Sequence, residues 1–157
     1  MPAQPSITSA ELVRPALLSD INALATLELN FPSDRLSARS FRHLLTRGHA
    51  EVLVSQQGAD ITGNIVVLYR RNCTHARLYS LVVHPQHQQR GIARTLLNAA
   101  EQAAGNKNCT TIGLEVRPDN EAALRLYQKM GYSVTVRIPA FYEDGAPALR
   151  LRKNIAS

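Results

Sequence analysis

Apolar positions along this chain keep two spacings, one of two residues and one of three to four, and the change from one to the other marks the elements. Residues 11–14 read as a short strand. Ser19 and Asp20 then cap a helix carrying Ile21, Leu24, Leu27 and Glu28, which Phe31 and Pro32 stop. Ser37 caps a second short helix with the stripe Phe41, Leu44 and Leu45, ended by Gly48. The β-formers of 51–56 and 61–71 flank Gly58-Ala59-Asp60, a hairpin signal. A third run from His75 to His84 extends this into a meander of antiparallel strands.

The second half repeats the alternation of strand and helix. An amphipathic helix from Gly91 to Ala104 is followed by the turn Gly105-Asn106-Lys107-Asn108. In the strand at 110–116, Ile112, Leu114 and Val116 alternate with Thr111, Gly113 and Glu115, so Glu115 points away from the apolar face. Pro118-Asp119-Asn120 opens a helix that stops at Gly131, and 132–138 with 148–152 form a last strand pair. The pattern predicts a mixed-sheet α/β domain.

With 157 residues, 45% of them hydrophobic, the chain suits one domain with an ordinary core. Residues 1–10 read as a flexible terminus rather than a signal peptide, and no apolar run approaches the roughly twenty residues of a membrane span. A cytoplasmic location is expected. The two cysteines, Cys73 and Cys109, and the five histidines lack metal-ligand spacing, so no metal is expected. A net charge of +6 suits a polyanionic ligand. The basic residues are dispersed and aromatics are only 5%, which argues against a nucleic-acid partner.

Two blocks carry chemistry. Pro85 ends the β-run of 78–83, and Gly91 lets the backbone approach a ligand before the next helix begins. Free N–H groups there, the helix dipole, Arg90 and Arg94 all favour an anion, which makes this turn a phosphate cradle. In the second block Asn120 and Tyr127 share one helical face about 10 Å apart, with the small Ala123 between them and Glu115 on the preceding strand. Singly, these read as a helix cap, a core aromatic and an edge charge. Together they suit a long ligand acted on at its far end.

Gln88-x-x-Gly91-x-Ala93, followed by Asn120-x-x-Ala123-x-x-x-Tyr127-x-x-x-Gly131-Tyr132, resembles the GNAT superfamily of acetyl-CoA-dependent N-acetyltransferases across residues 78–132. Leu114-Glu115-Val116-Arg117-x-x-Asn120 and the tail Phe141-Tyr142-Glu143-Asp144-Gly145 look most like the ribosomal-protein-alanine N-acetyltransferase group, which modifies protein N-termini. The resemblance implies a single GNAT-like domain over 11–157. Its sheet would be mixed, mostly antiparallel and twisted, of about six to seven strands with helices on both faces. It also implies acetyl-CoA as cosubstrate. The backbone of Leu81, Val82 and Val83 would pair with the pantetheine arm. The turn of Gln88, Gln89, Arg90, Gly91, Ile92, Ala93 and Arg94 would wrap the pyrophosphate, and Asn120 would contact the same molecule. Glu115 matches a general base and Tyr127 a general acid.

The chemistry asks for such groups. An acceptor amine with a pKa of about 8 at a protein N-terminus, or about 10 on lysine, must lose a proton before it attacks a thioester. A backbone N–H near Val83 would stabilise the oxyanion, and Tyr127 would protonate the leaving thiolate. By the same resemblance, 31–37 and 139–147 line the acceptor side with Asp34, Glu143 and Asp144, for which solvent-facing loop charge is the plain reading. The sequence departs from the pattern in two places: Ala93 stands where a second glycine is common, and 145–149 reads Gly-Ala-Pro-Ala-Leu where the group that modifies protein N-termini commonly has an acidic residue near Pro147. The acceptor expected is a protein N-terminal amine. A small amine metabolite or antibiotic, or a non-catalytic acyl-CoA-sensing or nucleic-acid-binding module, are the alternatives.

Overall fold

A computed structural model describes residues 11–32 and 34–156, so the expected flexible segment 1–10 lies outside the described residues. The elements are β1 (Leu12–Pro15), α1 (Ile21–Glu28), α2 (Ala38–Thr46), β2 (Ala50–Gln57), β3 (Asp60–Leu68), β4 (His75–Val83), α3 (Ile92–Asn106), β5 (Thr111–Val116), α4 (Glu121–Lys129), β6 (Ser133–Ile138) and β7 (Ala148–Asn154). Seven strands hydrogen-bond in the order β1-β2-β3-β4-β5-β7-β6. β4 and β5 are parallel, while β1/β2, β5/β7 and β6/β7 are antiparallel. The mixed α/β architecture expected from the pattern is therefore present. Among the described residues, contacts gather into two compact units, one drawn from those up to Val66 with Ser80–Ala100, the other from Val67–Tyr79 with those from Glu101 to Ala156.

The first unit packs Leu24, Phe41, Val54, Ile65, Leu96 and Leu97 with almost no exposure. Removing a ring buried like that of Phe41 costs about 3–5 kcal/mol. The Ser37 cap forms as expected, its Oγ accepting from the Ser40 N–H at 3.1 Å. Asp20 differs. Its carboxylate makes no cap bond to α1 but accepts both Nη groups of Arg14, at 2.8 and 3.0 Å, and the Leu17 N–H at 2.7 Å. A forked guanidinium outcompetes a single amide for a carboxylate, so the residues before α1 close into a 3-10 turn, Leu18–Asp20. The Arg14 hydrogen bonds also hold the Asp20 carboxyl below its ordinary pKa.

Besides Asp20, four polar side chains are buried within this apolar unit among the described residues: Glu28, Ser55, Thr62 and Asn64. Ser55 and Thr62 satisfy each other at 2.7 Å, and Thr62 also donates to Glu11 at 3.0 Å. Burial pushes the Glu28 carboxyl up in pKa, against the Leu36 N–H, the nearby Asn64 amide and the charge of Arg35. Glu28 Oε1 and both amide atoms of Asn64 have no hydrogen-bond partner among the described residues.

In the second unit the alternation of β5 holds: Ile112, Leu114 and Val116 are buried with Ala148 and Leu151 of β7. α3 runs to Asn106, two residues past the expected end. Gly105 stays helical, and Asn108, at φ 65°, takes the left-handed position expected of the glycine while the Cys109 N–H closes on the Ala104 carbonyl at 3.0 Å. β3 likewise stops at Leu68, leaving Arg70 and Arg71 to the turn before β4.

Candidate active site

In the first unit β4 runs into the predicted phosphate turn. The strand's hydrogen bonding extends past its end, with the His84 N–H donating to the Thr62 carbonyl at 2.8 Å. A short 3-10 turn follows at Pro85–His87, and the Gln88 side chain reaches back to the Val83 carbonyl at 3.3 Å. Gln89 and Gly91 both adopt left-handed backbone, at φ 66° and 80°. Such alternation curves the chain into a concavity of N–H groups. A Cβ on Gly91 would meet nothing within 4 Å, so the residue supplies backbone conformation and open approach rather than packing space.

The ladder of α3 begins with the Thr95 N–H on the Gly91 carbonyl at 3.0 Å, so the amides of Ile92, Ala93 and Arg94 precede it. Ile92 buries its side chain and so can offer a ligand only main chain. Arg90 and Arg94 are exposed, and neither meets a carboxylate among the described residues. Exposed amides at a helix start beside two uncommitted guanidiniums fit a diphosphate. Of the three strand residues, Val83 is buried, and Leu81 and Val82 are half-buried.

Sequence reasoning missed Gly63. A Cβ there would stand 2.8 Å from the Val82 carbonyl oxygen, 3.0 Å from Ser55 Oγ and 3.1 Å from Leu96 Cδ1. The backbones of β3 and β4 are pressed together at the expected pantetheine strand. An isolated glycine inside a strand pattern was the available signal.

In the second unit Glu115 points away from Ile112, Leu114 and Val116, as the alternation requires. It is nonetheless only 9% exposed, because Arg77 and Arg150 cover it at 3.2 and 3.5 Å. Arg150 lies directly opposite Glu115 in the β5/β7 register. Neither arginine was singled out from sequence, since cross-strand register is not written in any one segment.

Tyr127 is buried, its ring edge-on to Tyr132 with centroids 5.7 Å apart. Its hydroxyl has no hydrogen-bond partner among the described residues. Burial, with a smaller effect from Tyr142, raises its pKa far above that of a free phenol, so the proton is retained and available for donation. Asn120 meets its plain reading: Oδ1 caps α4 by accepting from the Ala123 N–H at 3.2 Å, which leaves its Nδ2 donors for a ligand.

The loop before β7 is braced. Arg117 lies over the Tyr142 ring at 4.1 Å and pairs with Asp144 at 2.8 Å. Asp144 also accepts the Ala146 N–H at 3.0 Å, and these contacts, the backbone one first, hold its carboxyl low in pKa. Asp144 is thus committed to the loop rather than a free solvent charge.

The chain resembles known proteins over much of its length. It is 36% identical over 99 residues to an uncharacterized N-acetyltransferase of Methanocaldococcus jannaschii, covering 61% of this chain and 64% of that one. It is 25% identical over 138 residues to N-alpha-acetyltransferase 30 of Xenopus laevis, covering 86% of this chain and 50% of that one. It thus spans about half to two thirds of the length of these curated relatives. The crystal structure of the ribosomal-protein-S18-alanine N-acetyltransferase from Escherichia coli superposes with a TM-score of 0.83 at 21% identity, covering 94% of this chain and 95% of that one, which shows a shared fold. A family model described as acetyltransferase (GNAT) family matches residues 18–132, and the chain therefore belongs to that family.

Proposed function

We propose that this chain transfers the acetyl group of acetyl-CoA to a primary amine, with a protein N-terminal α-amine as acceptor. The observation that carries the reading is the turn at 88–94, with left-handed Gln89 and Gly91, amides ahead of the α3 ladder and two exposed guanidiniums that meet no carboxylate among the described residues. Acetyl-CoA supplies an activated thioester carbonyl. Amides of the turn bind its diphosphate, Arg90 and Arg94 balance the charge, and the main chain of 81–83 aligns the pantetheine arm. Glu115 takes the ammonium proton, directly or through water, and a backbone N–H near Val83 steadies the oxyanion. Tyr127, kept protonated by burial, gives its proton to the departing thiolate. The N-terminal acceptor is supported by the Glu115-Val116-Arg117 and Tyr142-Glu143-Asp144-Gly145 segments and by the likeness to N-alpha-acetyltransferase 30.

Thiol release from acetyl-CoA, followed with peptides bearing a free α-amine and with small amines, tests this. Release with free peptides that stops when the same α-amine is blocked is the expected result. Release with small amines alone contradicts the acceptor, and none with any amine contradicts the activity.

A further inference from the structure

One face of the second unit concentrates positive charge around a single carboxylate. The registers set His75 beside Thr111, Arg77 beside Gly113, Gly113 beside Arg152 and Glu115 beside Arg150. Alternation puts these side chains on the same side of β4, β5 and β7, opposite the buried Ile112, Leu114 and Val116. Gly113 forms the floor: a Cβ there would lie 2.9 Å from His75 Cε1 and 3.0 Å from Nε2, so the imidazole rests on the glycine, held by Thr111 Oγ1 at 2.8 Å from its Nδ1.

Two guanidiniums therefore engage one carboxylate, and a third, Arg152, stands opposite Gly113, two residues along β5 from Glu115. Arg77 and Arg150 engage Glu115 while their side chains stay 44% and 49% exposed. Arg152 is exposed, and the only hydrogen bond of its guanidinium among the described residues is to the Thr111 hydroxyl at 3.3 Å. The excess acts on its surroundings: besides burial, Arg152, Arg150 and Arg70 outweigh Glu115 and hold the His75 imidazole below its ordinary pKa.

We propose that this face selects acceptors that carry carboxylates beside the reactive amine, that is, peptides with acidic residues next to the N-terminus. The inference rests on the N-terminal acceptor reading above and names its substrate class. Guanidinium forks match carboxylates in both charge and geometry, and exposed ones also steer an anion toward the site. A basic peptide would meet like charge at Arg150 and Arg152. The central position of Glu115 favours a peptide over a nucleic acid. An ammonium flanked by carboxylates matches a carboxylate flanked by guanidiniums, whereas a phosphate backbone laid across this face would meet the Glu115 oxygens.

The test measures binding and turnover separately, with C-terminally labelled peptides of free α-amine whose second to fourth residues are acidic, neutral or basic, in the presence of coenzyme A. Fluorescence anisotropy at low salt should show the acidic peptide binding about tenfold more tightly than the basic one, a modest difference suited to exposed charge pairs. Arg152→Glu should abolish or reverse the order, Arg152→Lys should largely keep it, and neither should alter acetyl-CoA affinity. Equal binding of the three peptides, preference for the basic one, or an order unchanged in Arg152→Glu overturns the proposal. So does a short DNA duplex that binds more tightly than the acidic peptide and depends on Arg152. Acidic peptide that binds as expected but releases no thiol leaves the selectivity standing and contradicts the transferase reading instead.

Discussion

The rings of Tyr127 and Tyr132 meet edge to face with 5.7 Å between centroids, yet their hydroxyls differ: Tyr132 donates to Glu101 at 2.9 Å, and the Tyr127 hydroxyl has no hydrogen-bond partner among the described residues. Lys153 holds the other Glu101 oxygen at 2.7 Å, which fixes Tyr132 as a structural prop. Tyr127→Phe should therefore keep the fold and acetyl-CoA affinity while lowering kcat by about a hundredfold or more, the loss expected of a general acid. Tyr132→Phe should do the reverse, costing about 1 kcal/mol in a denaturant melt with turnover retained. Thiol release and calorimetric binding on both variants separate the two roles.

Glu115→Gln should cut turnover most at neutral pH, where a terminal amine with a pKa of about 8 is mostly protonated and needs a base. As the pH rises past that value the free amine forms unaided, so the deficit should shrink. A deficit constant from pH 7 to 9.5 would mean that Glu115 serves only to pair Arg77 and Arg150.

Glu28 gives a stability effect of opposite sign to that of Asp20. Burial raises the Glu28 pKa in the folded chain above its ordinary value of 4.5, so the folded state binds a proton more tightly than the unfolded state. Its contribution is fully present below pH 4.5 and is lost as the pH climbs through the raised folded value. Glu28→Gln, which keeps an acceptor for the Leu36 N–H without a buried charge, should raise Tm at pH 8 and leave it nearly unchanged at pH 4. Asp20→Asn should lower Tm at pH 8, and its effect should fade as the pH falls, because the Arg14 hydrogen bonds depress that carboxyl.

Gly63→Ala would drive a methyl to 2.8 Å from the Val82 carbonyl oxygen, a backbone atom that cannot swing aside. A loss of about 1–3 kcal/mol is expected from such overpacking, together with weaker acetyl-CoA binding as β4 is displaced. Chemical denaturation and a cofactor titration on the variant read the two effects independently.

What the chain reveals before folding follows a physical division. Spacing of apolar residues is local, so α1 with Leu24 and Leu27, α2 with Phe41 and the alternation of β5 were legible, as was the Ser37 cap. Asp20 was not, because its partner Arg14 competes from a different element. Gly91 could be read from its place between a strand and a helix. An isolated glycine in a strand pattern marks Gly63 and Gly113 only as places of close approach, since the atoms that crowd them belong to other elements, β4 foremost. The same holds at the candidate site: Glu115, Asn120 and Tyr127 were visible as a spaced set, while Arg77 and Arg150 join Glu115 only through strand register. The Glu28 and Asn64 pair had no local signature at all.

The central claim is that amides around Gly91 hold the coenzyme A diphosphate, and calorimetric titration of the chain with acetyl-CoA tests it most directly. Gly91 sits at φ 80° with open space around it, so Gly91→Ala meets no clash and suffers only the left-handed backbone cost of about 1–2 kcal/mol. The expected result is saturable one-to-one binding, weakened roughly tenfold in Gly91→Ala. Absence of binding heat with the unaltered chain, or equal affinity in Gly91→Ala, contradicts the claim.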